Sequence, residues 1–274
     1  MDEHAPVITR LAIGLREVRS KPIVGRSLDM DRFLDDMLQS RIARRMLAEN
    51  HIAFHRLLAG DDVDEDFVGV VNTRLDVRSA INAAARQAHD ACAAALGEAP
   101  RIDVSCSDGL KMAYVPTHVH YVLFEVLKNS CRATVEQARA ELDPKAQLDP
   151  VEVRVRADTV HNATNILVTD QGTGLSDSDV TRAFTYGWTT AGTPNPNDSA
   201  LDAIGGGGAA GTAALMSGED TPLAGLGFGL PLSRLHCRYF GGDLRLVPVG
   251  VGCGAVTLVR FQNLAADSPL YKTL

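Results

Sequence analysis

The sequence predicts an α+β fold, in which a helical bundle precedes a sheet covered on one side by helices. Residues 1 to about 100 carry apolar side chains at helical spacing, in Ala-rich stretches such as 81–86 and 90–96. From residue 101 onward, runs that alternate apolar and polar residues are mixed with helical patterns. We therefore predict a helical domain at 1–100 and a mixed domain at 101–265.

The elements of the second domain can be predicted in chain order. Apolar residues return at helical spacing in two segments, 119–132 and 230–239. The alternating segments that predict strands are 101–106, 151–156, 165–170 and 255–261. Such a series gives one sheet with helices on one of its faces.

Composition indicates a globular chain and excludes several classes of protein. With 274 residues, 45% of them hydrophobic, the chain can bury one sizeable core or two modest ones. A net charge of −7 with scattered Lys and Arg argues against nucleic-acid binding. We expect no membrane span, because no run of eighteen apolar residues occurs. Five cysteines without CxxC spacing favour a reducing compartment over a disulfide framework or a zinc site.

The predicted helix 119–132 carries polar residues suited to a Mg²⁺-triphosphate. Glu125, Asn129 and Arg132 stand at positions i, i+4 and i+7, so they share one helix face. The carboxylate can act as a base, the amide oxygen can bind Mg²⁺, and Arg132 or Lys128 can neutralise phosphate charge.

Two glycine-rich segments follow this helix. Residues 170–174 read Asp-Gln-Gly-Thr-Gly, and residues 225–230 read Gly-Leu-Gly-Phe-Gly-Leu and lead into the predicted helix 230–239. Glycine lets the backbone approach a nucleotide closely, and a helix N-terminus can hold phosphates. Taken singly, each motif has a simpler interpretation: a tight turn, a solvated helix face, or a turn or helix N-cap at Asp170. Their order together predicts an ATP site without a P-loop.

The region between the glycine-rich segments is rich in Gly, Pro and polar residues. We predict that residues at about 190–222 form a mobile lid over the nucleotide. The alternative is a disordered insert without a role, because loops of this length inside a domain are usually either functional or disordered.

The combined motifs resemble the GHKL superfamily of ATP-binding domains, which includes histidine kinases, type II topoisomerases and heat-shock chaperones. Within it, the chain is similar to the mitochondrial pyruvate and branched-chain 2-oxoacid dehydrogenase kinases over roughly residues 30 to 260, and most specifically over 222–244. The segments that carry this likeness are 33–47, 50–51, 115–118, 132–136, 189–191, 222–234 and 239–244.

The resemblance implies a Bergerat-type ATP-binding sandwich and an ATP-dependent protein serine kinase. Such a kinase phosphorylates and inactivates the α subunit of a mitochondrial 2-oxoacid dehydrogenase, here most simply pyruvate dehydrogenase, and uses ATP and Mg²⁺. The implied address is the mitochondrial matrix, although the acidic N-terminus lacks the character of a transit peptide.

The family's roles can be assigned to matching residues. Glu125 is implied as the general base, Asn129 as the Mg²⁺ ligand and Asp170 as the hydrogen-bond partner of the adenine amine, while Lys128 and Arg132 approach the phosphates. The other residues implied to bind ATP are Gly172, Gly174, Thr189, Thr190, Gly225, Leu226, Gly227, Phe228, Gly229 and Leu230.

The chain departs from the family pattern at three points. Tyr121 stands four residues before Glu125, where pyruvate dehydrogenase kinases have histidine and the branched-chain kinase has tyrosine, and His120 is adjacent. The choice between the two substrates therefore stays open. Cys253 replaces a threonine close to adenine, which predicts a lost contact and lower affinity. The chain is also shorter than family members, which carry several additional N-terminal helices and a C-terminal tail, so the resemblance implies a partial helical bundle. Docking to the lipoyl domain of the complex core is then expected to be impaired, replaced, or carried on sequence outside this chain. A homodimer is left open.

Two other functions compete with this interpretation. A two-component histidine kinase would need a phosphoacceptor histidine followed by an acid, and neither His51 nor His55 has that context. A non-catalytic nucleotide-binding regulator would explain Cys253 and the missing helices. The presence of Glu125 and Asn129 argues against the regulator.

Overall fold

A computed structural model describes residues 11, 14–15, 17–18, 29–61, 64–140, 148–189 and 227–265. The main helices are α1 (Met30–Ala59), α2 (Val77–Leu96), α3 (Pro116–Ala140), α4 (Asp177–Ala183) and α5 (Gly229–Tyr239). The strands are β1 (Phe67–Val68), β2 (Val71–Asp76), β3 (Ile102–Ser105), β4 (Lys111–Tyr114), β5 (Val151–Asp158), β6 (Ala163–Asp170), β7 (Asp243–Pro248) and β8 (Ala255–Gln262). The predicted α+β class is confirmed.

The larger sheet has five strands in the order β3-β5-β6-β8-β7. Strands β3 and β5 are parallel, and the other neighbours are antiparallel. Burial alternates along β8, so one face of this strand packs on the helices. The pairing of β6 with β8 sets Asp170 directly opposite Ala255, which brings the end of one strand to the start of the other. The four predicted strands all lie in this sheet.

Helix α3 lies at the centre of the molecule. It packs against α2 and α5 and against strand β6. Since neighbours cover it on several sides, its buried residues include polar Glu125 and Lys128 as well as Val122, Leu123 and Leu127. A helix buried nearly all round can therefore hold charged side chains away from bulk water.

Helix α1 packs with one stripe of its surface. Leu34, Leu38, Ile42 and Met46 recur at intervals of four residues and are buried, which is the spacing of a single helix face. The side chain of Asp29 accepts a hydrogen bond from the amide of Arg32 at 3.1 Å and caps the first turn.

Residues 67–96 differ from the predicted helical bundle. Strands β1 and β2 interrupt the helices, and β2 pairs with β4 in a three-stranded sheet ordered β1-β2-β4. Helix α2 packs along α3. The structure of this region is set by pairing with a strand that is distant in sequence. Local helical spacing cannot reveal such pairing. The division at residue 100 stays a prediction, and these contacts group residues 67–96 with the residues that follow.

Contacts of Tyr186 join α1 to the loop after α4. The Tyr186 hydroxyl donates to Asp35 Oδ1 at 2.6 Å, and the Tyr186 amide donates to Asp31 Oδ1 at 3.2 Å. The Tyr186 ring lies 5.1 Å from that of Phe228, centroid to centroid. None of the helices in the described ranges has the length and apolar character needed to cross a membrane.

Candidate functional site

A cleft opens between α3, the adjacent ends of β6 and β8, the loop after α4 and the start of α5. Ten residues implied by the sequence line it together: Glu125, Lys128, Asn129, Arg132, Asp170, Gly174, Thr189, Gly227, Gly229 and Leu230. Thr190, Gly225, Leu226 and the predicted lid at 190–222 lie outside the described residues. Helical spacing and strand pairing thus bring distant motifs to one place.

Two of the implied residues do not line the cleft. Gly172 packs against Ala133, where an added Cβ would stand only 2.5 Å from the Ala133 Cβ. The Phe228 side chain is buried against Tyr186. Gly172 therefore acts through its backbone, and the Phe228 side chain is part of the hydrophobic core.

The charged residues of α3 that line the cleft are paired with one another. Lys128 Nζ donates to Glu125 Oε1 at 2.6 Å, and each side chain is only 5% exposed. Arg132 Nε donates to Glu136 Oε1, also at 2.6 Å. Half-buried Asn129 lies between these pairs on the cleft side. A ligand that recruits Lys128 or Arg132 must therefore compete with a carboxylate.

Asp170 is a buried carboxyl fixed by backbone amides. Its Oδ1 accepts from the amide of Gly172 at 3.1 Å and from that of Ala255 at 3.2 Å. Burial raises the pKa of Asp170 above its usual range, although hydrogen bonds from Gly172, Ser130 and Ala255 oppose that rise. The orientation of the carboxyl group in the cleft is thus set before any ligand arrives.

The loop that follows Asp170 and the loop that carries Cys253 are joined by backbone hydrogen bonds. The amide of Gly252 donates to the Thr173 carbonyl at 2.7 Å, and the amide of Gly254 donates to the Gly172 carbonyl at 3.1 Å. Gly174 has φ +69°, and a Cβ there would overlap the carbonyl of Gly250. Cys253 itself is exposed and does not line the cleft.

The first residues of α5 close the cleft opposite α3. Gly229, Leu230 and Pro231 line it, and among the described residues no side chain caps this helix start. The first-turn amides and the positive end of the helix dipole therefore favour an anion there. A Cβ on Gly229 would overlap Glu125 Oε2, so a side chain at this position would displace the carboxylate.

Sequence reasoning missed several cleft residues. Trp188 contributes to the wall, with the Arg182 guanidinium 5.5 Å from its ring centroid. Ser130 lies beside Asp170 and hydrogen-bonds it. Thr257 could have been found, because it stands two residues after Ala255 on an alternating strand and so faces the same side. The other missed cleft residues are Val126, Ala133, Glu136, Thr173, Leu175, Ala183, Pro231, Leu246 and Ala255.

The position four residues before Glu125 offers it no hydrogen bond. Tyr121 is buried with its ring centroid 5.2 Å from that of His236, and among the described residues its hydroxyl has no hydrogen-bond partner. His120 points toward α2, where its Nε2 lies 2.6 Å from Gln87 Oε1. Within the described part of the chain, Lys128 is the residue that forms an ion pair with Glu125.

The described residues of the cleft offer few ligands to a metal ion. Within the described ranges, no group of three or more His, Cys, Asp or Glu could hold an ion. Asn129 supplies a single amide oxygen in the cleft. One protein oxygen fits Mg²⁺ that arrives with a nucleotide, since Mg²⁺ takes many of its ligands from phosphates and water.

Two family models match the chain. The model described as histidine kinase-, DNA gyrase B-, and HSP90-like ATPase covers residues 114–263, more than half of the chain. The model described as mitochondrial branched-chain alpha-ketoacid dehydrogenase kinase covers residues 1–72. The first of these spans α3, the five-stranded sheet except β3, and the whole cleft.

Similar proteins include three named [pyruvate dehydrogenase (acetyl-transferring)] kinase, mitochondrial. That of Schizosaccharomyces pombe is 35% identical over 97% of this chain and 57% of its own length. Those of Arabidopsis thaliana and Ascaris suum are each 32% identical, over 92% and 100% of this chain and 63% and 64% of their own lengths. The chain thus spans only about six-tenths of these relatives. The resemblance to the dehydrogenase kinases is confirmed, and the chain belongs to the family of histidine kinase-, DNA gyrase B- and HSP90-like ATPases.

Proposed function

We propose that this chain is an ATP-dependent protein serine kinase that phosphorylates and thereby inactivates the α subunit of a mitochondrial 2-oxoacid dehydrogenase. The observation that carries the proposal is a single cleft holding Glu125, Asn129 and Asp170 beside the open N-terminus of α5. Its relatives are named pyruvate dehydrogenase kinases, so pyruvate dehydrogenase is the preferred substrate. Their names also favour a mitochondrial location, and the compartment that we propose is the matrix.

The nucleotide is held from two sides of the cleft. Asp170 accepts a hydrogen bond from the adenine amine, a role favoured by its fixed orientation. The phosphates lie toward the first turn of α5, where the amides of a helix N-terminus that no described side chain caps favour anions. Arg132 and Lys128 supply positive charge from the facing helix. Asn129 supplies one oxygen ligand to Mg²⁺, which when bound neutralises phosphate charge.

Transfer requires a base at the substrate hydroxyl. Glu125 accepts the proton of the serine hydroxyl while the serine oxygen forms a bond to the terminal phosphorus of ATP. The bond between that phosphorus and ADP breaks. The carboxylate is suited to this because it lies in the cleft and away from bulk water, with a side chain 5% exposed. Positioning and charge neutralisation supply most of the remaining rate enhancement.

More than one substrate and more than one partner fit this chain. Tyr121 favours the branched-chain enzyme as the alternative substrate, and the model matching residues 1–72 bears that enzyme's name. The lipoyl domain of the complex core and a second copy of this chain are further candidate partners. Both dehydrogenases therefore belong in the test.

The decisive experiment is Glu125→Gln with radiolabelled ATP. The wild type should label serine on a dehydrogenase α subunit, with acid-stable and alkali-labile phosphate. The variant should bind ATP but lose transfer by about a hundredfold or more, since an amide cannot accept the proton. Glu152→Gln changes an exposed strand residue paired with Arg154 and should keep full transfer.

Three results would contradict the proposal in different ways. Acid-labile label on a histidine of the chain itself would identify a histidine kinase. ATP binding without transfer to either dehydrogenase, even at high protein concentration, would identify a nucleotide-binding regulator. Retained serine transfer by Glu125→Gln would remove Glu125 from the role of base.

A further inference from the structure

In the proposed kinase, the general base Glu125 and the phosphate-binding cation Lys128 form an ion pair with each other. Lys128 Nζ lies 2.6 Å from Glu125 Oε1, and both side chains are 5% exposed. The two residues are one helical turn apart on α3, and both line the cleft. Lys128 cannot hold Glu125 in this way and also neutralise a phosphate fully, so the two contacts are alternatives.

The surroundings hold the pair in place. The ammonium lies 5.0 Å from the centroid of the Phe124 ring, a position favourable for a cation. On the other side, Glu125 Oε2 fits against Gly229, where a Cβ would overlap it. The carboxylate is thus enclosed between the ammonium and the first residue of α5.

The charges of a bound triphosphate would change this balance. A buried carboxylate that accepts from an ammonium has one oxygen engaged, which leaves it less available to a substrate hydroxyl. A triphosphate carries several negative charges, against a single charge on Glu125. Because charges attract more strongly in a cleft shielded from water, phosphates near the start of α5 would draw Lys128 toward them.

We propose that Lys128 is a positioning residue that exchanges partners. In the nucleotide-free cleft it engages Glu125, and on triphosphate binding its ammonium moves to phosphate and leaves the carboxylate free to accept a proton. The base thereby becomes available only when the phosphoryl donor is in place. This inference rests on the proposed function, because it takes the cleft to bind phosphates.

A double-mutant cycle on nucleotide affinity tests the exchange without relying on transfer. Glu125→Gln releases Lys128 and is expected to tighten ATP binding by about fivefold or more. In the Lys128→Met background the same change should alter ATP affinity by less than about twofold, because no cation is released. Adenosine lacks phosphates and should show no such coupling in either background.

Arg132 provides the matched control. It is also a cleft-lining cation of α3, but its ion pair is with Glu136. In the Arg132→Met background, Glu125→Gln should therefore still tighten ATP binding about fivefold or more. Lys128→Arg keeps a cation able to pair with Glu125 and should restore much of the coupling. If Lys128→Met does not fold, Lys128→Gln completes the cycle.

The outcomes separate this inference from the proposed function. Equal tightening with Lys128 present or replaced would mean simple repulsion between Glu125 and phosphate, and would overturn the exchange alone. Coupling without serine transfer would support the exchange while the kinase proposal fails. Absence of ATP binding by the folded wild type would overturn both.

Discussion

At the scale of single residues, Asp170 combines a structural cost with its proposed role in binding the nucleotide. Burial raises its pKa, so at neutral pH the folded protein carries a carboxylate in an environment that disfavours the charge. The two amides that donate to Oδ1 lessen this cost and orient the group. A residue that lowers stability at neutral pH and faces the cleft is better explained by ligand binding than by packing.

We predict that Asp170→Asn separates these two effects. A raised folded pKa means that stability is highest below the unfolded pKa and falls as pH rises through the folded pKa. The neutral amide should therefore make the protein more stable than wild type at pH 7 in urea unfolding. That gain should vanish near about pH 3, where the wild-type carboxyl is protonated.

The same variant should weaken ATP binding by about 1 to 3 kcal/mol in calorimetry. The side-chain oxygen of the asparagine would still accept hydrogen bonds from the amides of Gly172 and Ala255. Its side-chain NH2 group would then face the adenine amine, and two donors cannot form a hydrogen bond. Unchanged affinity would remove Asp170 from the nucleotide site.

Asp243 is the opposite case, because its partners overcome the effect of burial. Burial alone would raise the pKa of Asp243, but hydrogen bonds from Arg245, Arg238 and Arg234 lower it to about 2. A depressed folded pKa gives stability that is present above the unfolded pKa and is lost as pH falls toward 2.

Asp243→Asn should therefore cost about 2 kcal/mol of unfolding free energy at pH 7, and the cost should shrink as the pH falls from about 5 to about 2. Asp103→Asn provides the control, because its ion pair with Arg101 is exposed and should contribute less than about 1 kcal/mol. A pH-independent cost at Asp243 would contradict the electrostatic explanation.

At the scale of elements, helices α3 and α5 meet through two buried imidazoles. The ring centroids of His118 and His236 lie 4.3 Å apart. Burial, together with Arg45 on α1, lowers the pKa of His118 to about 4. Burial, His118 and Arg45 lower the pKa of His236 well below its usual range. Both rings are therefore neutral at pH 7, and the packing of these helices requires it.

This contact predicts a loss of stability in mild acid. A histidine with a lowered folded pKa stabilises fully above its unfolded pKa near 6.5, and that stability is lost as pH falls toward about 4. His118→Phe should flatten the decline in unfolding free energy by about 2 to 3 kcal/mol over that range. His51→Gln, at an exposed position, should leave the decline unchanged. An equally steep decline in His118→Phe would contradict the prediction.

At the scale of the whole molecule, Tyr186 connects the N-terminal helix to the cleft. Its hydroxyl and amide bind Asp35 and Asp31 of α1, and Trp188 and Thr189 of the same loop line the cleft. A disturbance of α1 can therefore reach the wall of the cleft through one side chain.

We predict that Tyr186→Phe weakens this connection. Loss of the hydrogen bond to Asp35 should cost about 1 kcal/mol of unfolding free energy. In hydrogen exchange, protection of α1 amides should fall more than protection of the five-stranded sheet. Tyr239→Phe alters a half-buried ring on α5 and provides the control. Equal loss of protection throughout the molecule would mean that Tyr186 supports general stability only.

The sequence by itself determined which residues could form the site. Helical spacing placed Glu125, Asn129 and Arg132 on one face of α3, and strand alternation located β5, β6 and β8. These are local properties, because a helix or strand period is fixed by backbone geometry over a few residues. The order of the motifs then indicated the ATP-binding fold that the family match confirmed.

Only the tertiary structure decided how those residues are paired. Strand β2 joined β4, Ser130 and Ala255 fixed Asp170, Trp188 entered the cleft wall, and Lys128 engaged Glu125 beside Gly229. The side chains of α3 could have reached solvent or one another, and packing of α5 against the carboxylate selected between these possibilities. Periodicity says which side of an element a residue occupies, whereas burial and charge after packing decide what it contacts.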